Sequence, residues 1–308
     1  MKMTRDFWRN YSPWFGQSVV DEIERTVTET WIDSAGGRIH LDIYARPSSA
    51  AIGTVVFSHG IAGYGRMVGP FALRLWKRGF NVICPDLAGY GFNEGKRGDW
   101  IWPQFVSNLL DSLTHAHERF DGPQFLAGAS LGGPLAYHAA CHAPHLSALA
   151  CYCLFDYRDA RFLQEVSTTR ALTPLLKPII AASARFIPTI QIPTEMVVTY
   201  RHIAEDPKFV TLLRRDLCAG TRITLRAVNS MLRAVPAIEY EQFSTPTLVI
   251  QPDADRMIPP KWSRLYFDRL GCEKAFAEIP NCGHWTLFPT QLDFAVDTMA
   301  DWFERHTD

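Results

Sequence analysis

The chain has 308 residues, of which 47% are hydrophobic and 20% charged, and its formal net charge is −1. This balance is typical of a globular protein and argues against a nucleic-acid-binding one, which would carry a basic surplus. No apolar run reaches the roughly 18 residues that a membrane-spanning helix needs. The first 17 residues mix charged and aromatic side chains, so we expect no signal peptide there.

The seven cysteines are odd in number, and no two of them have the CxxC spacing of a redox or metal motif. Most lie within apolar stretches, which favours buried free thiols over a disulfide framework. Because disulfides persist mainly in oxidising compartments, the cysteine pattern predicts a cytoplasmic protein.

Strand-like and helix-like segments alternate through the first half of the chain, after an N-terminal extension at residues 1–25. Residues 26–33 and 38–45 predict a β-hairpin, because alternating sequences flank a glycine-containing turn. The strands predicted next are short apolar runs at 54–58, 80–84, 124–127 and 149–155. The helices predicted between them lie at 71–78, 103–119 and 131–142. Such alternation predicts a mainly parallel sheet with helices on both faces.

The alternation breaks at residues 156–240, where helical stretches are punctuated by prolines. It resumes with a strand at 247–250, a helix near 260–270, a strand at 275–279 and a helix near 290–305. We therefore predict an α/β core formed by residues 26–155 and 241–308. Residues 156–240, called the cap below, are predicted to be a helical insertion that covers the carboxyl edge of the sheet.

Residues 128–132 read Gly-Ala-Ser-Leu-Gly and have the GxSxG pattern. They follow a predicted strand and open a predicted helix, which is the setting of a nucleophilic serine. The sharp turn exposes the hydroxyl above the sheet, and the flanking glycines leave room for the turn. Ser130 is therefore the candidate nucleophile, and the alternative is a serine that only caps the helix.

A nucleophilic serine needs a base, and His284 is the best candidate because it lies in a loop directly after the last predicted strand. The carboxylate that orients the imidazole is expected in the loop after the strand at 247–250, which contains Asp253 and Asp255. We prefer Asp255, which precedes a short apolar stretch and a proline as in the usual acid loop. Asp253 is kept as the alternative.

Negative charge that develops on a substrate carbonyl needs hydrogen-bond donors. The turn at 59–61 closes the strand at 54–58, so the backbone amides of Ile61 and Leu131 are predicted to form an oxyanion hole. Gly60 permits the turn, and His59 is interpreted as structural.

The sequence predicts neither a metal site nor a cofactor. His138, His142 and His145 have spacings that place them on one helix face, but no acidic ligand accompanies them, so an exposed helix face is the preferred interpretation. The sequence also contains no glycine-rich phosphate-binding motif in the context that nucleotide binding requires.

Together, these motifs resemble the α/β-hydrolase superfamily, and within it the monoglyceride lipase/lysophospholipase-like (serine aminopeptidase-like) group. The resemblance rests on the chain order serine, aspartate, histidine and on HGIAG at 59–63, DLAGYGFNEGKR at 86–97, GASLGG at 128–133, DADRMIPP at 253–260 and NCGH at 281–284. The chain departs from the group's pattern at Ala129 and Leu131, which replace a histidine and a methionine, and at Gln251, which replaces a glycine.

The predicted function is that of a serine esterase or lipase-type hydrolase. The resemblance implies a small-molecule acyl ester as substrate, of the monoacylglycerol or lysophospholipid type or another medium acyl ester, cleaved through an acyl-enzyme. A thioesterase, amidase or acyltransferase with the same three residues is an alternative, as is a ligand-binding protein with little turnover. No nucleic-acid partner is expected, and a homodimer is compatible with the sequence.

Overall fold

The computed structural model describes residues 5–47, 51–167, 173–286 and 288–307. The strands are β1 (Thr28–Ser34), β2 (Gly37–Tyr44), β3 (Thr54–Ser58), β4 (Asn81–Pro85), β5 (Gln124–Ala129), β6 (Ala148–Tyr152), β7 (Gln191–Pro193), β8 (Arg222–Thr224), β9 (Thr247–Pro252) and β10 (Lys274–Ile279). The α-helices are α1 (Ser12–Phe15), α2 (Gln17–Thr26), α3 (Gly69–Lys77), α4 (Trp102–Arg119), α5 (Gly132–Ala140), α6 (Ala160–Val166), α7 (Thr173–Phe186), α8 (Pro207–Leu213), α9 (Leu225–Leu232), α10 (Pro260–Arg269) and α11 (Pro289–Glu304).

In the described part of the chain, eight strands form one sheet in the order β1-β2-β4-β3-β5-β6-β9-β10. The β1–β2 hairpin is antiparallel, and β2 also runs antiparallel to β4, whereas the other neighbours are parallel. The central strands β3, β4, β5 and β6 are almost wholly buried, as expected for continuous apolar runs covered by helices on both faces. The predicted mainly parallel, doubly wound sheet is confirmed.

The parallel arrangement determines where the predicted site residues lie. Because β3, β5, β9 and β10 run in the same direction, the segments that follow them emerge at one edge of the sheet. These segments are the turn at 59–61, the turn at Ser130, the loop at 253–258 and the loop at 281–284.

The cap contains helices α6 to α9, and α7 packs against α9. It also contains a short antiparallel ribbon of β7 and β8, in which Ile192 lies opposite Ile223. The predicted helical insertion therefore also contains two short strands, which the sequence did not indicate. Each strand of the ribbon has three residues, which is too short to produce a recognisable alternation of polar and apolar residues.

The N-terminal segment packs on the body of the protein. A 3-10 helix at Arg5–Tyr11 precedes α1 and α2, and α2 packs against α3. Trp8 and Tyr11 are fully buried. All seven cysteines are free thiols.

Candidate active site

Ser130 sits in a sharp turn between β5 and α5. Its φ of 57° lies in the left-handed region, which costs a non-glycine residue about 1–3 kcal/mol. The turn is held by the Ser130 amide, which donates to the Tyr152 carbonyl at 2.8 Å. A Cβ on Gly128 would lie 1.9 Å from the Gly132 carbonyl oxygen, and one on Gly132 would lie 2.7 Å from the Ser58 carbonyl oxygen. Both positions therefore require glycine, and the glycines of the motif are explained by close backbone approach.

Ser130 Oγ lies 2.8 Å from His284 Nε2, and His284 Nδ1 lies 2.7 Å from Asp255 Oδ2. All three side chains are buried. A carboxylate can only accept, so Nδ1 carries the proton and Nε2 is free to accept from the serine hydroxyl. Side chains that are far apart in the sequence thus form one chain of hydrogen bonds at the sheet edge.

The structure distinguishes between the two candidate aspartates. Asp255 Oδ1 accepts from the amides of Met257 and Ile258 at 2.7 and 2.9 Å, which leaves Oδ2 directed at the imidazole. Asp253 is exposed and accepts from the Cys282 amide at 3.1 Å. Asp255 therefore occupies the position beside His284, and Asp253 supports the neighbouring loop.

Further side chains around this arrangement were not identified from the sequence. Gln251 Nε2 lies 3.5 Å from Asp255 Oδ2, and Gln251 Oε1 accepts from the Ser263 hydroxyl. The Tyr152 hydroxyl donates to the His284 carbonyl at 3.0 Å. The only sequence signal for Gln251 was its departure from the usual glycine, and nothing marked Tyr152 because its contact spans 132 residues.

The amides predicted to bind an oxyanion belong to Ile61, in a turn that approaches Ser130, and to Leu131, which directly follows Ser130. A Cβ on Gly60 would be 2.9 Å from the Cβ of Ser130, so the turn that carries Ile61 passes directly over the serine. Among the hydrogen bonds between described residues, none uses the amide of Ile61 or Leu131. His59 buttresses this turn, since its Nδ1 donates to the Gly60 carbonyl and its Nε2 accepts from the Leu87 amide.

Within the described part of the structure, Ser130 borders a large and a small cavity. The larger one has a volume of about 420 Å³ and extends beneath the cap, where its walls are mostly apolar. Representative wall residues are Phe155, Phe162, Ile180, Val198, Val228 and Met231. The smaller one has a volume of about 40 Å³ and is bounded by Gly60, Phe209, Leu213, His284 and Trp285. Ile61 borders both cavities, whereas His284 borders only the smaller one.

A second polar cluster, mostly buried, is formed by side chains of β1 and β2 together with Arg66 and with Asp86, which directly follows β4. The carboxylate of Asp42 accepts two hydrogen bonds from Arg66, both at 2.6 Å, and Glu29 accepts another at 2.7 Å. His40 Nδ1 lies 3.0 Å from Asp86 Oδ2. Glu29, His40 and Asp42 are close enough to share a cation, but the guanidinium of Arg66 already pairs with both carboxylates, so this arrangement is an ion-pair network.

The structure corrects the interpretation of His138. It is buried, and its Nδ1 accepts from the indole of Trp102 at 3.0 Å. Burial lowers the pKa of His138 to about 4, so the ring is neutral at pH 7. His142 and His145 are exposed as expected. The prediction of one exposed face failed because α5 lies between β5, β6 and α4, and its neighbours cover most of its surface.

Comparisons with known proteins agree with this architecture. The family model described as serine aminopeptidase, S33 (Hydrolase_4) matches residues 49–291. A monoacylglycerol lipase of Mycolicibacterium smegmatis is 23% identical over 300 residues, which cover 92% of this chain and 99% of that protein. Among the described residues, no helix combines the length and apolar character that crossing a bilayer would require.

Solved structures share the fold. The monoacylglycerol lipase of Paleococcus ferrophilus superposes with a TM-score of 0.69 at 20% identity, covering 87% of this chain and 99% of that one. A soluble variant of the monoglyceride lipase of Saccharomyces cerevisiae, in complex with a substrate analogue, gives a TM-score of 0.72 at 17% identity, covering 91% of this chain and 95% of that one.

Proposed function

Because the chain belongs to the serine aminopeptidase S33 family of α/β-hydrolases, we propose that it hydrolyses carboxylic esters with Ser130 as nucleophile, His284 as general base and Asp255 as the carboxylate that orients the imidazole. The observation that carries this proposal is the continuous hydrogen-bonded chain from Ser130 Oγ to Asp255 Oδ2, with distances of 2.8 and 2.7 Å. No cofactor is needed for this chemistry.

The proposed reaction has two halves. Ser130 Oγ attacks the ester carbonyl carbon while its proton passes to His284 Nε2, and the negative charge on the carbonyl oxygen is bound by the amides of Ile61 and Leu131. Collapse of the tetrahedral intermediate breaks the bond to the alcohol, which leaves with the proton from His284. Water then attacks the acyl-enzyme by the same route and releases the acid.

The two cavities suggest which part of the substrate lies on each side. The leaving oxygen must approach His284 Nε2, since that atom returns the proton, and His284 borders only the small cavity. We therefore assign the small cavity to the alcohol and the large apolar cavity to the acyl chain. A volume of 40 Å³ has room for about three water-sized groups. It can therefore enclose the methyl or ethyl group of an alcohol. A glycerol ester is larger and must extend past this space.

The charges around the cavities favour an ester over a peptide with a free amino terminus. A carboxylate is the usual partner of an ammonium group in a partly buried site. Among the described residues that line either cavity there is no aspartate or glutamate, and the charged or titratable groups at the large one include Lys177, His202 and Arg256. This lining supports an acyl ester as the substrate. Of the candidate esters, the small alcohol cavity favours simple alkyl esters, since a monoacylglycerol or a lysophospholipid would have to place part of its alcohol outside that cavity.

The test begins with covalent labelling by a fluorophosphonate, followed by steady-state assays on matched esters, thioesters and amides of one medium-chain acid. We expect Ser130→Ala to abolish labelling and to lower kcat by about 10⁶-fold. Ser112→Ala, which removes another buried hydroxyl, is the matched control and should keep both signals. Labelling of Ser130 without turnover of any ester would contradict the proposed hydrolase activity and favour a ligand-binding protein with an activated serine. Faster turnover of thioesters or amides than of esters would change the assigned substrate class.

The cytoplasmic location and the homodimer stay predictions. The free thiols support the first. The second is open to measurement by light scattering of the purified protein.

A further inference from the structure

The N-terminal segment reaches the wall of the small cavity from outside the part of the chain that matches the family model. The match begins at residue 49, whereas Tyr11 and Trp14 lie in the first 3-10 helix and α1. Both side chains contact α8 of the cap, whose residues Phe209 and Leu213 border the small cavity. A segment that precedes the hydrolase core thus supports one boundary of the site.

The contacts from Tyr11 and Trp14 to α8 are of two kinds. The ring of Phe209 lies 5.2 Å from that of Tyr11 and 5.3 Å from that of Trp14, the latter edge to face. The indole of Trp14 also donates to Asp206 Oδ2 at 2.8 Å, and the same aspartate caps α8 by accepting from the Lys208 amide. The first turn of α8 is therefore fixed to the N-terminal segment by aromatic packing and by a hydrogen bond.

A second anchor lies just beyond the end of α8. The buried carboxylate oxygen Asp216 Oδ2 accepts from the hydroxyls of Tyr11 and Tyr64 at 3.1 and 2.9 Å. Tyr64 belongs to the core, so this carboxylate joins the N-terminal segment, the core and the cap. Because α8 is fastened near both ends, Phe209 and Leu213, which lie four residues apart on one helix face, are held toward Ser130.

We propose that Tyr11 and Trp14 are positioning residues for alcohol selectivity: by holding Phe209 and Leu213 in place, they keep the small cavity too narrow for bulky leaving groups. The inference rests on the proposed function, because it takes the small cavity as the site of the alcohol. The acyl cavity is not bordered by Phe209 or Leu213, so acyl-chain selectivity is independent of this contact.

The test uses the full chain and two series of esters. The first series keeps octanoic acid and varies the alcohol from methyl to butyl and benzyl, and the second keeps methanol and varies the acid from four to twelve carbons. In Trp14→Ala we expect the ratio of kcat/KM for benzyl over methyl octanoate to rise about tenfold, while the ratio for long over short acids stays within about twofold. A role limited to overall stability would move neither ratio.

Two variants sharpen the result. Trp76→Ala is the matched control. Like Trp14, Trp76 is partly buried and its indole donates a hydrogen bond, here to the Ala45 carbonyl, but it lines neither cavity. Its loss should leave both ratios unchanged. Phe209→Ala should raise the benzyl ratio as Trp14→Ala does, and the double variant should add little to either, because both changes act on one wall.

Milder changes cover the case in which Trp14→Ala does not fold. Tyr11→Phe keeps the phenyl ring and Trp14→Phe keeps a smaller aromatic ring, and each removes one hydrogen bond. We expect smaller shifts of the benzyl ratio in the same direction. Unchanged alcohol ratios in folded Trp14→Ala and Phe209→Ala would overturn the proposal, as would equal shifts in both ester series. If the wild-type chain hydrolysed no ester in either series, the proposed function itself would fail, which is a different outcome.

Discussion

At the sheet edge, the three polar side chains of the candidate site are held by hydrogen bonds of 2.7 to 2.9 Å, whereas the cap surrounds Ser130 with apolar side chains. Hydrogen bonds of this kind depend on distance and direction, while apolar contact depends on shape and volume. A change at the edge should therefore affect every substrate, and a change in the cap should affect substrates according to their size. The following experiments test that difference.

The largest effect is expected at Asp255. Asp255→Asn keeps the shape of the side chain, but its amide would favour the wrong tautomer of His284, so kcat should fall about 10⁴-fold for every ester. Asp253→Asn is the matched control: among the described residues, the Asp253 side chain hydrogen-bonds only to the Cys282 amide, so kcat should stay within about twofold. Comparable losses of kcat in the two variants, or a loss confined to long-chain esters, would contradict the assignment of Asp255 as the carboxylate that orients His284.

A second effect concerns stability rather than turnover. Burial alone would lower the pKa of His40, but its hydrogen bond to Asp86 and the nearby carboxylates of Glu29 and Asp42 raise that pKa to about 9. The folded state therefore holds this proton more tightly than the unfolded state. The resulting stability is fully present below the ordinary pKa of about 6.5 and is lost as the pH rises through about 9, by about 3 kcal/mol in all.

Urea unfolding of wild type and His40→Gln at pH 6.5 and pH 9 measures this contribution. The free energy of unfolding of the wild type should fall between the two pH values, and in the variant the fall should be smaller by most of this amount. Both proteins keep the decline that comes from buried thiols such as Cys84 and Cys153, whose pKa values burial raises. His117→Gln, which changes an exposed histidine, should behave as wild type. If the free energy of unfolding changed with pH equally in wild type and His40→Gln, the buried cluster would not hold a proton on His40.

The smallest effect is expected in the cap. Val228 on α9 lines the large cavity, so Val228→Phe should lower kcat/KM for dodecanoyl esters about tenfold and leave acetyl esters unchanged. Val235 is 63% exposed and borders neither cavity, which makes Val235→Phe the matched control. An equal loss of kcat/KM for short and long acyl chains would mean that the substitution disturbs Ser130 itself rather than reducing the volume available to the acyl chain.

The sequence was sufficient for the features that depend on short segments of backbone. The family match confirms the predicted α/β-hydrolase of the lipase-like, serine aminopeptidase-like group and, together with the named lipases, the predicted hydrolase class. The strand, turn and helix around Ser130 were predictable from the GxSxG pattern between a strand-like and a helix-like segment, although the contact that requires glycine at 132 comes from Ser58 on β3. The loops of Asp255 and His284 were predictable from their position after parallel strands.

The features that escaped prediction depend on contacts between distant parts of the chain. Tyr11 and Asp216 are 205 residues apart, and no pattern near either residue indicates their hydrogen bond. His138 has the spacing of a surface residue, but the indole that covers it comes from α4. The volume of each cavity is likewise set by side chains from several elements, so the size of the acyl and alcohol groups could not be predicted from any one motif.

The left-handed backbone at Ser130 also limits which amino acids could replace it during evolution. A β-branched side chain is strongly disfavoured at a φ near +57°. Threonine also has a hydroxyl group, but its extra methyl group on Cβ would destabilise this turn. Cysteine, like serine, has no branch at Cβ. At this position, cysteine could therefore replace Ser130 as the nucleophile, whereas threonine could not.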